Sequence, residues 1–198
     1  MAATKNGARN AVRAGALIAL VTAATALTLH LMGRVWICTC GQIRLWAGGV
    51  NTADNSQQVA DWYSFSHMIH GMIFYAALHL ALPRLGLARL ALGWRLLIAV
   101  IVECGWELLE NSPLIIDRYR AATIAIGYTG DSILNSVSDV AMMALGFGIA
   151  AKLPWRWTLG AALAMEIGTL ILIRDNLTLN VIMLAWPIDA IRTWQAAI

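Results

Sequence analysis

Three glutamates with helical spacing lie in one strongly apolar stretch of this sequence. Glu103, Glu107 and Glu110 follow residues 90–101, which are apolar except for Arg95. Residues three and four apart share one face of a helix, so a helix here would present all three carboxylates on one side. Acids inside a membrane span usually face a bundle interior, a partner or a water-filled cavity. The stripe therefore predicts a buried polar site, with these glutamates as candidate catalytic acids and bases.

Two histidines in the preceding apolar stretch are the candidate metal ligands. His67 and His70 are three residues apart and would share a helix face. Imidazoles together with carboxylates suit zinc, manganese or iron, so we predict a divalent metal site at His67, His70, Glu107 and Asp139. An ion with an open coordination position would activate water. Two alternatives remain open: an acid–base site without metal, and a structural cluster in which the histidines hydrogen-bond to carboxylates and arginines neutralise the acids.

A third polar group begins the next apolar stretch. Asp131, Asn135 and Asp139 follow one another at intervals of four residues. Asp131 is the fourth predicted catalytic residue. Arginines near the same end of the chain's apolar stretches are suited to hold a phosphate group. The predicted substrate-binding residues are Arg118, Arg120, Asn135 and Arg174.

The composition is that of a membrane protein that crosses the bilayer several times. Hydrophobic residues make up 60% of the chain and charged residues 13%, against about 25% charged in soluble domains. The mean hydropathy is +0.68, and most of the nine tryptophans lie near predicted span ends, as in an interfacial aromatic belt. The net charge of +3 is spread out without a basic run, so we expect no nucleic-acid partner.

The apolar pattern predicts an all-α membrane bundle in a single domain, 1–198. Five spans are expected, at about 14–32, 62–82, 96–111, 131–151 and 157–173. The first is long for a signal peptide and lacks an Ala-x-Ala cleavage site, so we expect it to be retained. After Val181 too few apolar residues precede Asp189 to cross a membrane. We therefore predict an interfacial C-terminal helix, broken at Pro187.

The basic residues predict the orientation of the chain in a bacterial inner membrane. With a cytoplasmic N-terminus, eight of the 14 lysines and arginines lie on the cytoplasmic side. They are Lys5, Arg9, Arg13, Arg84, Arg89, Arg95, Lys152 and Arg156. The C-terminus would then be periplasmic, and the histidines, glutamates and aspartates would meet in the periplasmic half of the bundle. The cytoplasmic halves are mostly apolar, which argues against an ion path, although Glu166 is an exception.

The three cysteines give less information. Cys38 and Cys40 form a Cys-x-Cys pair in a polar loop, open to a disulfide, a metal contact or free thiols. The absence of a Cys-x-x-Cys pair in the sequence argues against a closed zinc site. Cys104 lies in a span and is expected to be a small buried apolar residue.

Several motifs resemble a family of uncharacterised alphaproteobacterial multi-pass inner-membrane proteins. They are Cys38-Thr-Cys-Gly41, Ser66-His-Met-Ile-His-Gly71, Trp106-Glu-Leu-Leu-Glu-Asn111, Gly130-Asp-Ser-Ile-Leu-Asn-Ser-Val-Ser-Asp139 and Arg174-Asp-Asn-Leu-Thr-Leu-Asn180. The resemblance implies a multi-pass membrane location and no particular activity. More remotely, the order of Asp and His, then Glu, then Asp-x-x-x-Asn on successive spans is similar to VanZ-like membrane proteins, although the second histidine and the triple glutamate depart from that pattern.

These observations predict a metal-dependent hydrolase or transferase that acts on an envelope lipid or lipid-linked substrate from the periplasmic side. The alternative is a non-enzymatic assembly or binding subunit whose polar cluster holds the helices together. Its partner would be another membrane protein or a second copy of this chain.

Overall fold

The chain forms a bundle of helices, four of which are long and apolar enough to cross a membrane. The computed structural model describes residues 2–50, 52–123, 125 and 127–197, and within these ranges it contains helices and no strands. The helices are α1 (Ala2–Leu31), α2 (Ser64–Arg84), α3 (Leu92–Glu110), α4 (Pro113–Ala122), α5 (Ile133–Lys152), α6 (Trp155–Ile173), α7 (Leu177–Ala185) and α8 (Asp189–Gln195). The four candidate spans are Gly7–Leu31 in α1, then α2, α5 and α6. The predicted helical membrane bundle is thereby confirmed.

Helix α3 is as long as a span but carries more charged residues than the four candidate spans. Its 19 residues extend about 28 Å at ~1.5 Å per residue, close to the thickness of a bilayer's hydrocarbon core. It packs against α1 and α5, and it carries Arg95 together with Glu103, Glu107 and Glu110. A fifth crossing by α3 stays a prediction, since composition alone does not class this helix as a span.

Helices α2 and α5 make the closest contact of the bundle, at two glycines. A side chain at Gly71 would overlap the backbone carbonyl of Met143, and one at Gly146 would overlap the carbonyl of Met68. Only hydrogen atoms fit between the two backbones at this crossing. The crossing brings one face of α2, with its two histidines, against α5.

The loops that follow α1, α3 and α6 gather at one end of the bundle, which we call the site end. There the loop after α1 is hydrogen-bonded to the start of α5, with Ile133 N 2.8 Å from Val35 O and Leu134 N 3.0 Å from Trp36 O. The other end carries only short connections, at 85–91 and 153–154. Between the two ends lies an apolar core of Ala99, Val100, Cys104, Val140, Met143 and Phe147.

The C-terminal segment folds back against the bundle as two short helices. Helices α7 and α8 are separated at residues 186–188, around Pro187. The backbone N–H groups of Leu177 and Thr178 donate to the two carboxylate oxygens of Glu166, at 3.0 and 3.1 Å. Glu166 thus satisfies N–H groups that a helix start leaves without partners. It lies seven residues before Ile173, so α7 begins about 10 Å below the end of α6.

Candidate functional site

Glu103 lies between two histidines at the centre of the bundle. Its Oε1 is 2.6 Å from Nδ1 of His67, and its Oε2 is 3.1 Å from Nδ1 of His70. The carboxylate is completely buried. The two histidines share one face of α2, as their i, i+3 spacing predicts, and both contact the same carboxylate of α3.

Glu107 is the buried acid that lacks partners. It is fully buried, and neither carboxylate oxygen has a hydrogen-bond partner within the described part of the chain. The nearest charged partner is His67, whose Nδ1 lies 3.6 Å from Oε1. Burying a carboxylate without hydrogen bonds is unfavourable by several kcal/mol. Such a group is ready to take up a proton or a cation.

Asp139 approaches His67 from the opposite side. Its Oδ2 lies 3.8 Å from Nε2 of His67. Its Oδ1 accepts a hydrogen bond from the Ser64 hydroxyl at 3.2 Å. His67 is therefore surrounded by three carboxylates, of Glu103, Glu107 and Asp139, contributed by two different helices.

Among the described residues, three groups of three have the geometry to hold a metal ion. Cys38, Cys40 and Asp54 include the disulfide pair, and the other two groups both contain His67. One is His67, His70 and Glu103, and the other is His67, Glu107 and Glu110. In each group the candidate ligand atoms all lie within 4.8 Å of one another. The mixed nitrogen and oxygen donors suit zinc, manganese or iron. Of the predicted ligands, Asp139 belongs to neither of the two groups with His67, while Glu103 and Glu110 are added.

Two tyrosines that sequence reasoning missed hydrogen-bond to the outer acids of the site. The Tyr119 hydroxyl donates to Glu110 at 3.0 Å, and the Tyr128 hydroxyl donates to Asp131 at 2.8 Å. Burial beside these carboxylates raises the pKa of both phenols well above the usual value, which keeps them neutral donors. No spacing in the sequence marked either tyrosine, because both come from loops and the short helix α4.

Asp131 and Asn111, the residue that follows α3, form a closed hydrogen-bonded pair. The Asn111 amide donates to Asp131 Oδ2 at 2.8 Å, and the Asp131 N–H donates back to Asn111 Oδ1 at 2.7 Å. Burial raises the pKa of Asp131. Asn135 lies one turn into α5, where its amide donates to the Gln58 carbonyl at 3.0 Å. Both predicted residues line the same cavity as the histidines.

The three predicted arginines do not reach the acids. Arg118 donates to the carbonyl of Leu184 and Arg120 to that of Tyr128, at 2.8 and 2.6 Å. Arg174 donates to the carbonyl of Trp194 at 2.9 Å. None of the three lines the cavity or pairs with a carboxylate of the cluster among the described residues. The idea that these arginines neutralise the acids is therefore wrong, because they donate to backbone carbonyls of α7, of α8 and of the loop before α5 instead.

A cavity of about 320 Å³, the site cavity, opens beside the histidines. Its polar lining includes His67, His70, Glu103, Glu110, Asp131 and Asp139, and Phe74, Val102, Trp106, Val181 and Leu184 form an apolar wall. Val102 and Val181 are 51% and 58% exposed on the outer surface of the bundle. The cavity thus joins a deep polar floor to a wall that reaches the lipid-facing surface.

Asp175, a further buried acid, connects the C-terminal helices to the start of α2 through hydrogen bonds. It accepts hydrogen bonds from the Tyr63 hydroxyl, the Asn180 amide and the Gln195 amide, at 3.0, 3.1 and 3.0 Å. Burial raises the pKa of Asp175 to about 6. This acid also lines the site cavity.

The two loop cysteines are joined to each other. Cys38 and Cys40 form a disulfide, and Cys104 is a buried free thiol. The Cys38–Cys40 loop lies at the site end, outside the His67 cluster. Of the alternatives that the sequence left open for this pair, the structure has the disulfide.

Comparison with known proteins identifies close relatives over nearly the full chain. A UPF0314 protein of Novosphingobium aromaticivorans is 53% identical over 184 residues, covering 92% of this chain and 93% of its own. A UPF0314 protein of Rhizobium etli is 55% identical over 178 residues, with 90% and 89% covered. A UPF0314 protein of Paracoccus denitrificans is 52% identical over 179 residues, with 90% of each chain covered.

No solved structure gives a significant match to this chain. Residues 29–197 match the sequence profile of a family described as "Protein of unknown function (DUF2585)". That range includes every predicted site residue, from His67 to Arg174. The profile match and the relatives together show that the chain belongs to the DUF2585 (UPF0314) family of alphaproteobacterial proteins.

Proposed function

We propose that this protein is a membrane-embedded, metal-dependent hydrolase or transferase for a lipid or lipid-linked substrate. One observation carries the proposal: buried carboxylates surround His67. Neither carboxylate oxygen of Glu107 has a hydrogen-bond partner among the described residues. A cation would offset the unfavourable burial of these acids. Bound there, a divalent ion would polarise an ester or phosphoryl oxygen, or activate water.

The remaining residues of the site have roles that their contacts suggest. Glu103 orients both histidine rings through its two oxygens. Glu110 and Asp131 each accept a hydrogen bond from a tyrosine and are positioned at the cavity to exchange a proton with a substrate or water.

The walls of the site cavity favour an amphiphilic substrate. The polar floor would receive the reacting group, and the apolar wall at Val102 and Val181 would contact the chains. A volume of about 320 Å³ is at the lower limit for small-molecule pockets. Only part of a lipid would therefore enter the cavity, while its chains stay in the bilayer.

We place the site end on the periplasmic side of the inner membrane, with a cytoplasmic N-terminus. The lysine and arginine distribution supports this orientation. The Cys38–Cys40 disulfide at the site end also supports it, because disulfides persist in the periplasm and are rare in the cytosol.

Metal analysis of the purified protein tests the proposal. We expect close to one equivalent of zinc, manganese or iron in the wild type and its loss in His67→Ala and His70→Ala. His79→Ala is the matched control, since His79 lies on the same helix and stacks on Tyr75 away from the cluster. Wild-type protein without metal, after purification without chelators and reconstitution with each ion, would rule out the metal site.

The non-enzymatic alternative has one observation in its favour: both oxygens of Glu103 are satisfied by histidines of the protein itself. In that case the cluster holds α2 and α3 together and no substrate is turned over. Comparing the lipids of deletion and wild-type cells separates the two functions. A lipid that accumulates on deletion, and disappears on complementation with wild type but not Glu103→Gln, supports an enzyme. An unchanged lipid composition supports a binding or assembly subunit.

A further inference from the structure

A second and larger cavity lies among the loops at the site end. We call it the loop cavity; its volume is about 890 Å³. Its lining comes mainly from residues 33–35, from Thr52, Ala53, Asn55 and Gln57, from residues 127–131, and from Arg192 in α8 with Ala196 just after that helix. Four segments that are distant in the sequence therefore enclose one space next to the metal-binding cluster.

Two arginines line the loop cavity and have unused hydrogen-bond donors. Arg34 Nε is buried and has no partner, and the Arg192 guanidinium forms no hydrogen bond or ion pair, within the described residues. Arg34 also donates from Nη1 to the Thr129 carbonyl. Gly130, with a φ of +91°, leaves the room for it, since a side chain there would overlap the Arg34 guanidinium. The fold thus holds one arginine at the cavity and leaves it donors to spare.

The acid in this wall does not neutralise the arginines. Asp131 is turned to Tyr128 and Asn111, which donate to its two oxygens. Burial raises the pKa of Asp131. Gln57 and Thr52 add further polar groups to the wall. The loop cavity is therefore a basic, polar chamber suited to an anion.

The loop cavity and the site cavity adjoin each other. Asn55, Ala125, Tyr128 and Asp131 line both. A molecule with its acyl chains along the apolar wall of the site cavity would carry its headgroup past these residues towards Arg34 and Arg192. The shared wall sets the order in which the parts of a bound lipid would lie. Its chains would contact Val102 and Val181, its reacting group would lie at the histidines, and its anionic headgroup would lie at the arginines.

We propose that the loop cavity binds a phosphate-bearing headgroup, with Arg34 and Arg192 as its anion-binding residues. The assignment of that headgroup to the reacting lipid rests on the proposed function, whereas binding of the anion does not. The chemistry is that of a phosphate mono- or diester, from a lipid or from a water-soluble phosphate.

Binding measurements on the full chain in dodecyl maltoside micelles, which contain no phosphate, test this inference. The probes are inorganic phosphate, dioctanoyl phosphatidic acid and, as a ligand without phosphate, dioctanoylglycerol, titrated by calorimetry. We expect Arg192→Gln and Arg34→Gln each to weaken phosphatidic acid binding about tenfold, the usual effect of losing one charge-assisted hydrogen bond. Arg89→Gln, in the loop at the other end of the bundle, should leave the affinity unchanged.

The arms of the experiment distinguish the sources of the phosphate. Tighter binding of phosphatidic acid than of inorganic phosphate supports a lipid headgroup, while equal affinities support a soluble phosphate in the same pocket. If Arg34→Gln unfolds the loop, Arg192→Gln retains the test, because the Arg192 guanidinium has no hydrogen bond or ion pair to lose within the described ranges. Unchanged affinity for both phosphate probes in folded Arg192→Gln would overturn the inference.

Metal content measured on the same preparations separates this inference from the proposed function. If the protein holds no metal but binds phosphate in an arginine-dependent way, the headgroup pocket is supported and the proposed metal-dependent enzyme is contradicted. If metal binding depends on His67 but phosphate binding does not depend on the arginines, the metal site is supported and the headgroup pocket is contradicted.

Discussion

His67 is the residue on which the site converges. One ring nitrogen faces Glu103 at 2.6 Å and Glu107 at 3.6 Å, while the other faces Asp139 at 3.8 Å. No other side chain in the described part of the chain lies in two of the metal-holding groups. A single imidazole thus joins the acids of α3 to the acid of α5.

Replacing Glu107 separates a metal ligand from a structural acid. Without metal, Glu107→Gln should keep or slightly raise the melting temperature, because it removes a buried carboxyl group with no hydrogen bonds. With metal present, the same change should abolish the metal-induced rise in melting temperature that wild type shows. Glu166→Gln is the control and should lower stability with and without metal, since Glu166 accepts bonds from Leu177 and Thr178. An equal metal-induced rise in wild type and Glu107→Gln would exclude Glu107 as a ligand.

Asp175 should make the stability of the protein depend on pH. Its pKa is raised to about 6, so the folded protein holds this proton more tightly than the unfolded chain does. The free energy of unfolding should therefore fall as pH rises from about 4 to about 6, by roughly 2–3 kcal/mol. Asp175→Asn should remove that part of the slope, as measured by thermal unfolding in detergent at several pH values. An identical pH profile for the two proteins would show that Asp175 ionises normally.

At the scale of elements, the crossing of α2 and α5 decides the geometry of the site. The two backbones approach so closely at Gly71 and Gly146 that no side chain fits. His67 lies one turn before Gly71 on α2, and Asp139 lies two turns before Gly146 on α5. Separating the helices at the crossing would therefore pull these two site residues apart.

Gly146→Ala should loosen this crossing. The added methyl group would overlap the Met68 carbonyl, and we expect a loss of about 1–3 kcal/mol, as for other overpacked positions. Gly148→Ala, on the same helix but with nothing within 4 Å of the added group, should be neutral or slightly stabilising. Thermal unfolding of both variants checks this, and equal melting temperatures would show that the crossing tolerates a side chain.

For the whole molecule, polar loops lie at one end and short basic connections at the other, and this asymmetry is the basis of the predicted orientation. We expect the C-terminus to be periplasmic. Alkaline phosphatase fused after Ile198 should then be active and green fluorescent protein at the same position dark, with the reverse for fusions after Leu90. If the green fluorescent protein fused after Ile198 fluoresces, the site end lies in the cytoplasm. That result would contradict both the predicted orientation and an oxidising location for Cys38.

The helical part of the fold could be predicted from the sequence because apolar runs longer than about 18 residues have few alternatives in a membrane. The span predicted at 62–82 corresponds to the helix Ser64–Arg84, and the span predicted at 157–173 corresponds to the helix Trp155–Ile173. The i, i+4, i+7 spacing of the glutamates likewise placed them on one face, since helical periodicity is local. The break at Pro187 follows from proline's own geometry.

What only the tertiary structure decided concerns contacts between distant segments. The sequence predicted Arg118, Arg120 and Arg174 at the site. In the structure they donate to backbone carbonyls of other segments, and Arg34 and Arg192 line a cavity instead. Tyr119, Tyr128 and the fold-back of α7 onto Glu166 had no periodic signal. The physical reason is that helix periodicity reports which face a residue lies on, while the packing of helices and the closure of loops determine which residues from other segments meet there.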